Sequence, residues 1–242
     1  MTNLHKDGTP QATPPGVGQV LRRAFAMSAL VCRGSIENGA GHPDAEALHK
    51  RILGWVEGQG LIDQLAPIEL DLLKTPLGRL TETQIIGATW AVEGLAILAW
   101  GATLYEFPMH DEKVDPYAVT DIVGFLSDDP TAIIDSANLR IPTELTACRE
   151  LLYAVHSRLR DFLRYQQPQT FTGWVEAWWL ELLGVPFDYL IVDNDLAIDR
   201  IPLSQAGNDR VQMCEWAVCE RHKAICWLTG ESLVYSETTV DT

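Results

Sequence analysis

From Thr81 to Gly101 the chain reads TETQIIGATWAVEGLAILAWG, and between Ile85 and Ala102 its one charged residue is Glu93. A run this long and apolar, opened by Thr81 and Gln84 at capping-box spacing, predicts a central helix over about 82–104, buried on most sides. Each residue turns a helix by about 100°, so Trp90, Glu93 and Trp100 fall within roughly 80° of one another and share a face. Gly87 and Gly94 each disfavour an isolated helix by about 1 kcal/mol relative to Ala, which makes sense where neighbouring elements press close. The run is near the lower length limit for a membrane span, contains an acid and lacks basic flanks. It therefore reads as a core helix.

Other segments carry their own periodicity. Residues 1–16 are polar and predict a flexible N-terminal tail. Leu21, Ala24, Phe25, Ser28, Val31 and Cys32 follow helical spacing over about 17–38, with Arg33 and Glu37 placed to pair on the surface at i,i+4. Asp44–Glu57 predicts a second helix with Leu48, Ile52, Trp55 and Val56 inward, and short pieces follow around Pro67. Phe107–Lys113 reads as a loop. Asp115-Pro116 starts a short helix, since Asp caps and Pro suits the first turn. Another short piece is expected around 131–137.

Over Thr143–Gln166, Leu145, Cys148, Leu152, Val155, Leu159 and Phe162 alternate steps of three and four, a buried seam beside a polar stripe of Arg149, Tyr153, His156 and Arg160. Gly173–Leu183 predicts a helix. Tyr189–Val192, Leu196–Ile198 and Ile201–Leu203 are β-prone, and predict a small hairpin near 187–203 with Pro202 on an edge strand. Leu233–Tyr235 is also β-prone. The last helix, about 209–228, has a seam of Val211, Cys214, Val218, Ile225 and Leu228, and the position that completes it is Arg221. Together these predict a mainly α, compact multi-helix single domain over 17–242 around a buried central helix.

Composition narrows the function classes. A net charge of -15 lacks the basic footprint of nucleic-acid binding and disfavours anionic membranes; it serves solubility in the favoured reading and is compatible with a basic partner. The five Cys at 32, 148, 214, 219 and 226 are an odd number and form no secretory disulfide framework. With no apolar signal segment near the start, the expectation is a cytoplasmic protein with free thiols.

The candidate chemistry centres on two unusual residues. Glu93 is a lone acid in an apolar helix, and Arg221 is a lone base on an apolar seam. A buried unpaired guanidinium is very costly, so the two are expected to pair with each other or with the His156/Arg160 stripe. Such a pair either fixes helix register or lines a pocket for a ligand or acid/base chemistry.

Metal and nucleophile signatures are weaker. Cys214, Cys219, His222 and Cys226 resemble a zinc motif. On a helix, though, Cys214 and Cys219 diverge by about 140° and Cys219 and Cys226 lie about 10.5 Å apart along the axis. Sulfurs on one zinc sit about 2.3 Å from it, so no metal is expected there. The loop acids beside His110 (Asp111, Glu112) and Asp115 read as a solvated charge run, and His42 and His49 as surface residues. No cofactor motif is present: there is no P-loop, GxGxxG, GxSxG or HExxH. Trp178 and Trp179 diverge by about 100°, so with Trp174 they cannot all face one core, and one is a candidate partner contact.

Four pieces resemble a bacterial family, domain of unknown function 4272. They are Arg22–Glu37, Trp90-x-x-Glu93-x-x-x-x-Leu98-x-Trp100-Gly, the Glu150–Phe162 segment with His156, Arg158 and Arg160, and Glu220-Arg-His-Lys-Ala224-x-x-Trp227-Leu228. Cys226 stands where the family pattern has Asn. The resemblance covers roughly 20–242 and implies a mainly helical cytoplasmic domain without an assigned reaction. The candidate polar cluster is therefore Trp90, Glu93, Trp100, His156, Arg160, Glu220, Arg221 and His222. Three functions are open: a non-enzymatic protein-binding or accessory module, which is favoured; a hydrolase, transferase or small-ligand sensor using Glu93, His156, Arg221 and His222; and a structural component that oligomerises.

Overall fold

The computed structural model describes residues 13–240. Most of the predicted tail, 1–12, lies outside the described residues. The protein is mainly α, with ten α-helices and one small antiparallel sheet among the described residues. It forms two compact units, one of Gly16–Tyr105 with Val114–Leu139, the other of Glu106–Lys113 with the chain from Arg140 onward and 13–15.

The first unit holds α1 (Val17–Glu37), α2 (Ala45–Gly58), α3 (Pro67–Lys74), α4 (Glu82–Gly101), α5 (Pro116–Ile122) and α6 (Thr131–Ser136). Its spine is α1 packed along α4. The predicted capping box opens α4: Thr81 Oγ1 accepts the Gln84 N–H at 3.3 Å and Gln84 Oε1 accepts the Thr81 N–H at 2.8 Å. From Val92 to Gly101 every residue of α4 is buried. Nearer its start Ile86 is 46% exposed, so only the second half is buried all round.

Three local expectations change here. Nothing lies within 4 Å of where a Cβ on Gly87 would sit. A close approach is found at Gly34 of α1, where a Cβ would come 2.8 Å from the Ala88 Cβ and 3.3 Å from the Thr89 backbone. Arg33 and Glu37 do pair, at 2.6 Å, but inside the unit rather than on its surface. Burial alone would raise the Glu37 carboxyl. Hydrogen bonds from Arg33 and from the Leu80 and Gly78 backbone outweigh it and hold the group below its ordinary range. His49 is likewise buried, its Nε2 donating to the Leu73 carbonyl at 2.7 Å.

The second unit is organised on α7 (Pro142–Tyr165) and α10 (Asn208–Leu228), which pack on each other, with α8 (Ala177–Leu183) against α7. The predicted seams of both long helices are buried, Arg221 included. After the four-residue α9 (Phe187–Leu190), where a strand had been expected from Tyr189, come β1 (Ile191–Val192), β2 (Asp195–Ile198) and β3 (Ile201–Pro202). The strands are antiparallel in the order β1-β2-β3, so the β element is a pair of hairpins sharing β2. Each turn has two residues with positive φ, Asp193 with Asn194 and Asp199 with Arg200. That is the backbone a tight hairpin twisted with its strands requires. Pro202 sits on the edge strand as predicted. Tyr235 starts a short 3-10 turn rather than a strand, and packs edge-on against Trp227.

Candidate functional site

The α7–α10 contact brings His156 and His222 together. Their Nδ1 atoms are 3.1 Å apart and their rings meet edge-on. One Nδ1 must donate and the other accept, so the bridging proton serves both rings. Both side chains are buried. His156 Nε2 is 3.4 Å from Glu215 Oε1, outside hydrogen-bond geometry, and has no hydrogen-bond partner. Burial, followed by His156 and Arg149, pushes His222 down to about 4, so it is neutral at neutral pH. Of the predicted stripe, Arg149 pairs with Glu150 at 2.6 Å and reaches Glu231 at 3.3 Å, and Tyr153 lies edge-on to His222. Arg160 is exposed and Glu220 half-buried.

Arg221 is fully buried and finds main-chain acceptors. Nη1 donates to the Met109 carbonyl at 2.6 Å and the Pro108 carbonyl at 3.3 Å, and Nη2 to the Glu112 carbonyl at 2.6 Å. The same loop is held from several other sides. His110 Nε2 donates to the Ala197 carbonyl, and the Asp111 carboxylate accepts from Tyr189 Oη and the Asp199 N–H, each at 2.8 Å. Arg210 donates to the Asp111 carbonyl while gripping Asp199 through two hydrogen bonds. His110 and Asp111 are therefore buried, not a solvated charge run. Burial dominates on His110 and holds it below its ordinary range.

Glu93 belongs to the first unit and Arg221 to the second, and within its own unit each has main-chain partners. Glu93 is buried on α4 and accepts the Val114 N–H at 3.2 Å. Trp100 is buried and Trp90 half-buried.

The best-formed ion pair of the second unit was not singled out from the sequence. Arg158, fully buried on α7, donates Nε and Nη2 to the two oxygens of Asp195 at 2.7 and 2.6 Å, and Nη2 also to the Gln167 carbonyl at 3.0 Å. The available signal was spacing, because Leu151, Val155, Arg158 and Phe162 follow steps of four, three and four. An arginine on that face needs an acceptor, by the argument that picked out Arg221.

The cysteines offer no nucleophile. Burial pushes Cys32, Cys214 and Cys219 up to about 11 and Cys148 and Cys226 higher, so thiolate is scarce at neutral pH. Among the described residues no three His, Cys, Asp or Glu side chains are placed to hold a metal.

The predicted helix over Gly173–Leu183 is interrupted: Trp174 ends a 3-10 turn (Thr172–Trp174), extended backbone follows at Val175 and Glu176, and α8 begins at Ala177, where Trp178 and Trp179 part as their spacing requires. Trp178 is 45% exposed and Trp174 37%, while Trp179 is half-buried. Trp178 continues into Leu182 one turn on, 42% exposed, and Phe187 after the helix is 54% exposed.

A family model described as a domain of unknown function (DUF4272) matches residues 7–172. The chain belongs to that family. The matched span takes in α1 to α7, with Arg22–Glu37, Trp90–Gly101 and Glu150–Phe162. It ends before Glu220–Leu228, so the fourth piece of the resemblance lies outside the DUF4272 match. No curated protein and no solved structure matches the chain.

Proposed function

We propose that the chain is a soluble, cytoplasmic, non-enzymatic protein-binding module whose contact face is the α8 segment. The observation that carries this is the exposed aromatic face itself. Trp174, Trp178, Leu182 and Phe187 keep between 37% and 54% of their surface in water, and large aromatics so placed are the usual anchors of an interface. The acid and base groups point the same way. Glu93, His156, Arg221 and His222 are each no more than 3% exposed, which suits architecture better than turnover of a dissolved substrate. The apolar helix Glu82–Gly101 has the length and composition of a membrane span. Its packing against α1 favours a core role instead.

The test is native mass spectrometry of the gently purified protein beside a Trp174→Ala/Trp178→Ala variant that keeps its far-UV circular dichroism. A stoichiometric protein partner lost in the variant is the expected result. A partner retained by the variant removes the face from consideration.

A second reading, a small-ligand sensor, is favoured by the unpartnered Nε2 of His156 beside His222. A bound metabolite in the same spectra, lost in His222→Gln, would select it.

A further inference from the structure

Beside the sheet lies a cavity of about 350 Å³, within the size range of small-ligand sites. We propose that it recognises one guanidinium or ammonium group, carried by a basic side chain of the docked partner or by a free small cation. The first source rests on the protein-binding reading; the second does not.

The lining decides the sign of the ligand. Gln169, Thr170, Asp193, Asn194, Asp195 and Ser204 line the cavity, and among the described residues no Lys, Arg or His does. Oxygen acceptors with two carboxylates suit a group made of N–H donors and repel an anion. The wider field agrees. From Tyr165 to Asp199 there is no Lys, Arg or His, against six acids: Glu176, Glu181, Asp188, Asp193, Asp195 and Asp199. Asp195 is balanced by Arg158 and Asp199 by Arg210. The other four are exposed, and none has a basic partner among the described residues.

The walls are also fixed before any ligand arrives. Asp193 and Asn194 form the β1–β2 turn with positive φ, and the Asn194 carbonyl accepts the Phe171 N–H at 2.7 Å, tying the turn to the residue that follows Thr170. Asp195 is buried and accepts the Leu196 N–H at 2.7 Å on one oxygen and the Gln169 N–H at 3.4 Å on the other, besides its two bonds from Arg158. Its charge is spoken for, which leaves the exposed carboxylate of Asp193 as the group free to meet a cation.

The assay is an NMR titration of the isotope-labelled full chain with three probes: N-acetyl-arginine methylamide, agmatine and the neutral N-acetyl-glutamine methylamide. One exposed carboxylate plus neutral acceptors predicts dissociation constants of about 1 mM, weakened by salt, with Asp193→Asn weaker by roughly fivefold. Saturable shifts at 169–170, 193–195 and 204 with a cationic probe, and not with the neutral one, are the expected result. Binding of the blocked arginine identifies a side chain as a competent source, and binding of agmatine alone identifies a free cation. Asn tolerates the left-handed backbone of position 193, so that variant keeps the turn. Trp178→Ala should bind all probes as the parent does, so failure of the contact face leaves this result standing. Equal shifts from the neutral probe, no saturable shift, or unchanged affinity in Asp193→Asn overturns the proposal.

Discussion

Removing the Arg158 guanidinium is the sharpest stability test. Two of its nitrogens lie 2.6 and 2.7 Å from the two Asp195 oxygens, and the side chains are 0% and 5% exposed. In Arg158→Met the stem volume is largely kept, while the carboxylate stays buried with only the Leu196 and Gln169 N–H groups for support. Breaking one side of a buried pair costs about 3–5 kcal/mol, so Arg158→Met and Asp195→Asn should each lose that order of stability. The double variant should lose less than the sum, by about 1–3 kcal/mol, because the second change removes the stranded charge. Urea unfolding measures the totals. Amide exchange at Leu196 and Ala197 localises the effect to β2. A loss below about 1 kcal/mol in Arg158→Met, or strict additivity in the double variant, would refute the reasoning.

Three further outcomes follow from the surroundings of single residues. His222 is held at about 4 when folded against about 6.5 unfolded, so as pH falls the unfolded chain takes up the proton first. Stability should therefore fall from about pH 6.5 to about pH 4 and level off below. His222→Gln should flatten the pH slope of the urea midpoint over that window, leaving the part owed to His110, and parallel slopes would contradict the assignment. At the α1–α4 contact, Gly34→Ala should lower stability by about 1–3 kcal/mol despite a better helix propensity, since the added methyl meets Ala88. Gly87→Ala, facing open space, should raise it by up to about 1 kcal/mol, as read by thermal unfolding.

How far the sequence could be read depends on which physical signal each feature carries. The helices α1, α7 and α10 were legible because a three-four seam is a local property, and α4 because a long apolar run and the Thr81 cap are local too. Which polar residues lie inside was less legible. A helix packed against several neighbours buries a wider arc than its most apolar seam. Arg33, seven residues after Ala26 and three after Leu30, was therefore assigned to the surface although it lies in that arc. Its partner at i+4 was at least predictable. The acceptor of Arg158 lies 37 residues away on β2, and those of Arg221 are loop carbonyls more than 100 residues earlier. No local pattern encodes a carbonyl that only tertiary folding delivers. Trp178 and Trp179 are the opposite case, since the angle between them already required them to part, whereas Trp174 falls on a separate 3-10 turn ahead of α8.

These acceptors also show why the family match alone does not define a finished structure. The match stops at residue 172, yet α7 packs its seam on α10 and sets Arg158 against Asp195, both beyond that point. A fully buried guanidinium without acceptors is among the most unfavourable groups a helix can contain. In this chain, then, the segment after the match is what makes α7 tolerable as a core helix. The exposed tryptophans and most of the cavity lining lie on that segment too. The part that completes the fold and the part proposed to meet a partner are thus the same stretch of chain. A partner selecting the α8 face would be reading the same stretch of chain that supplies Asp195 to Arg158.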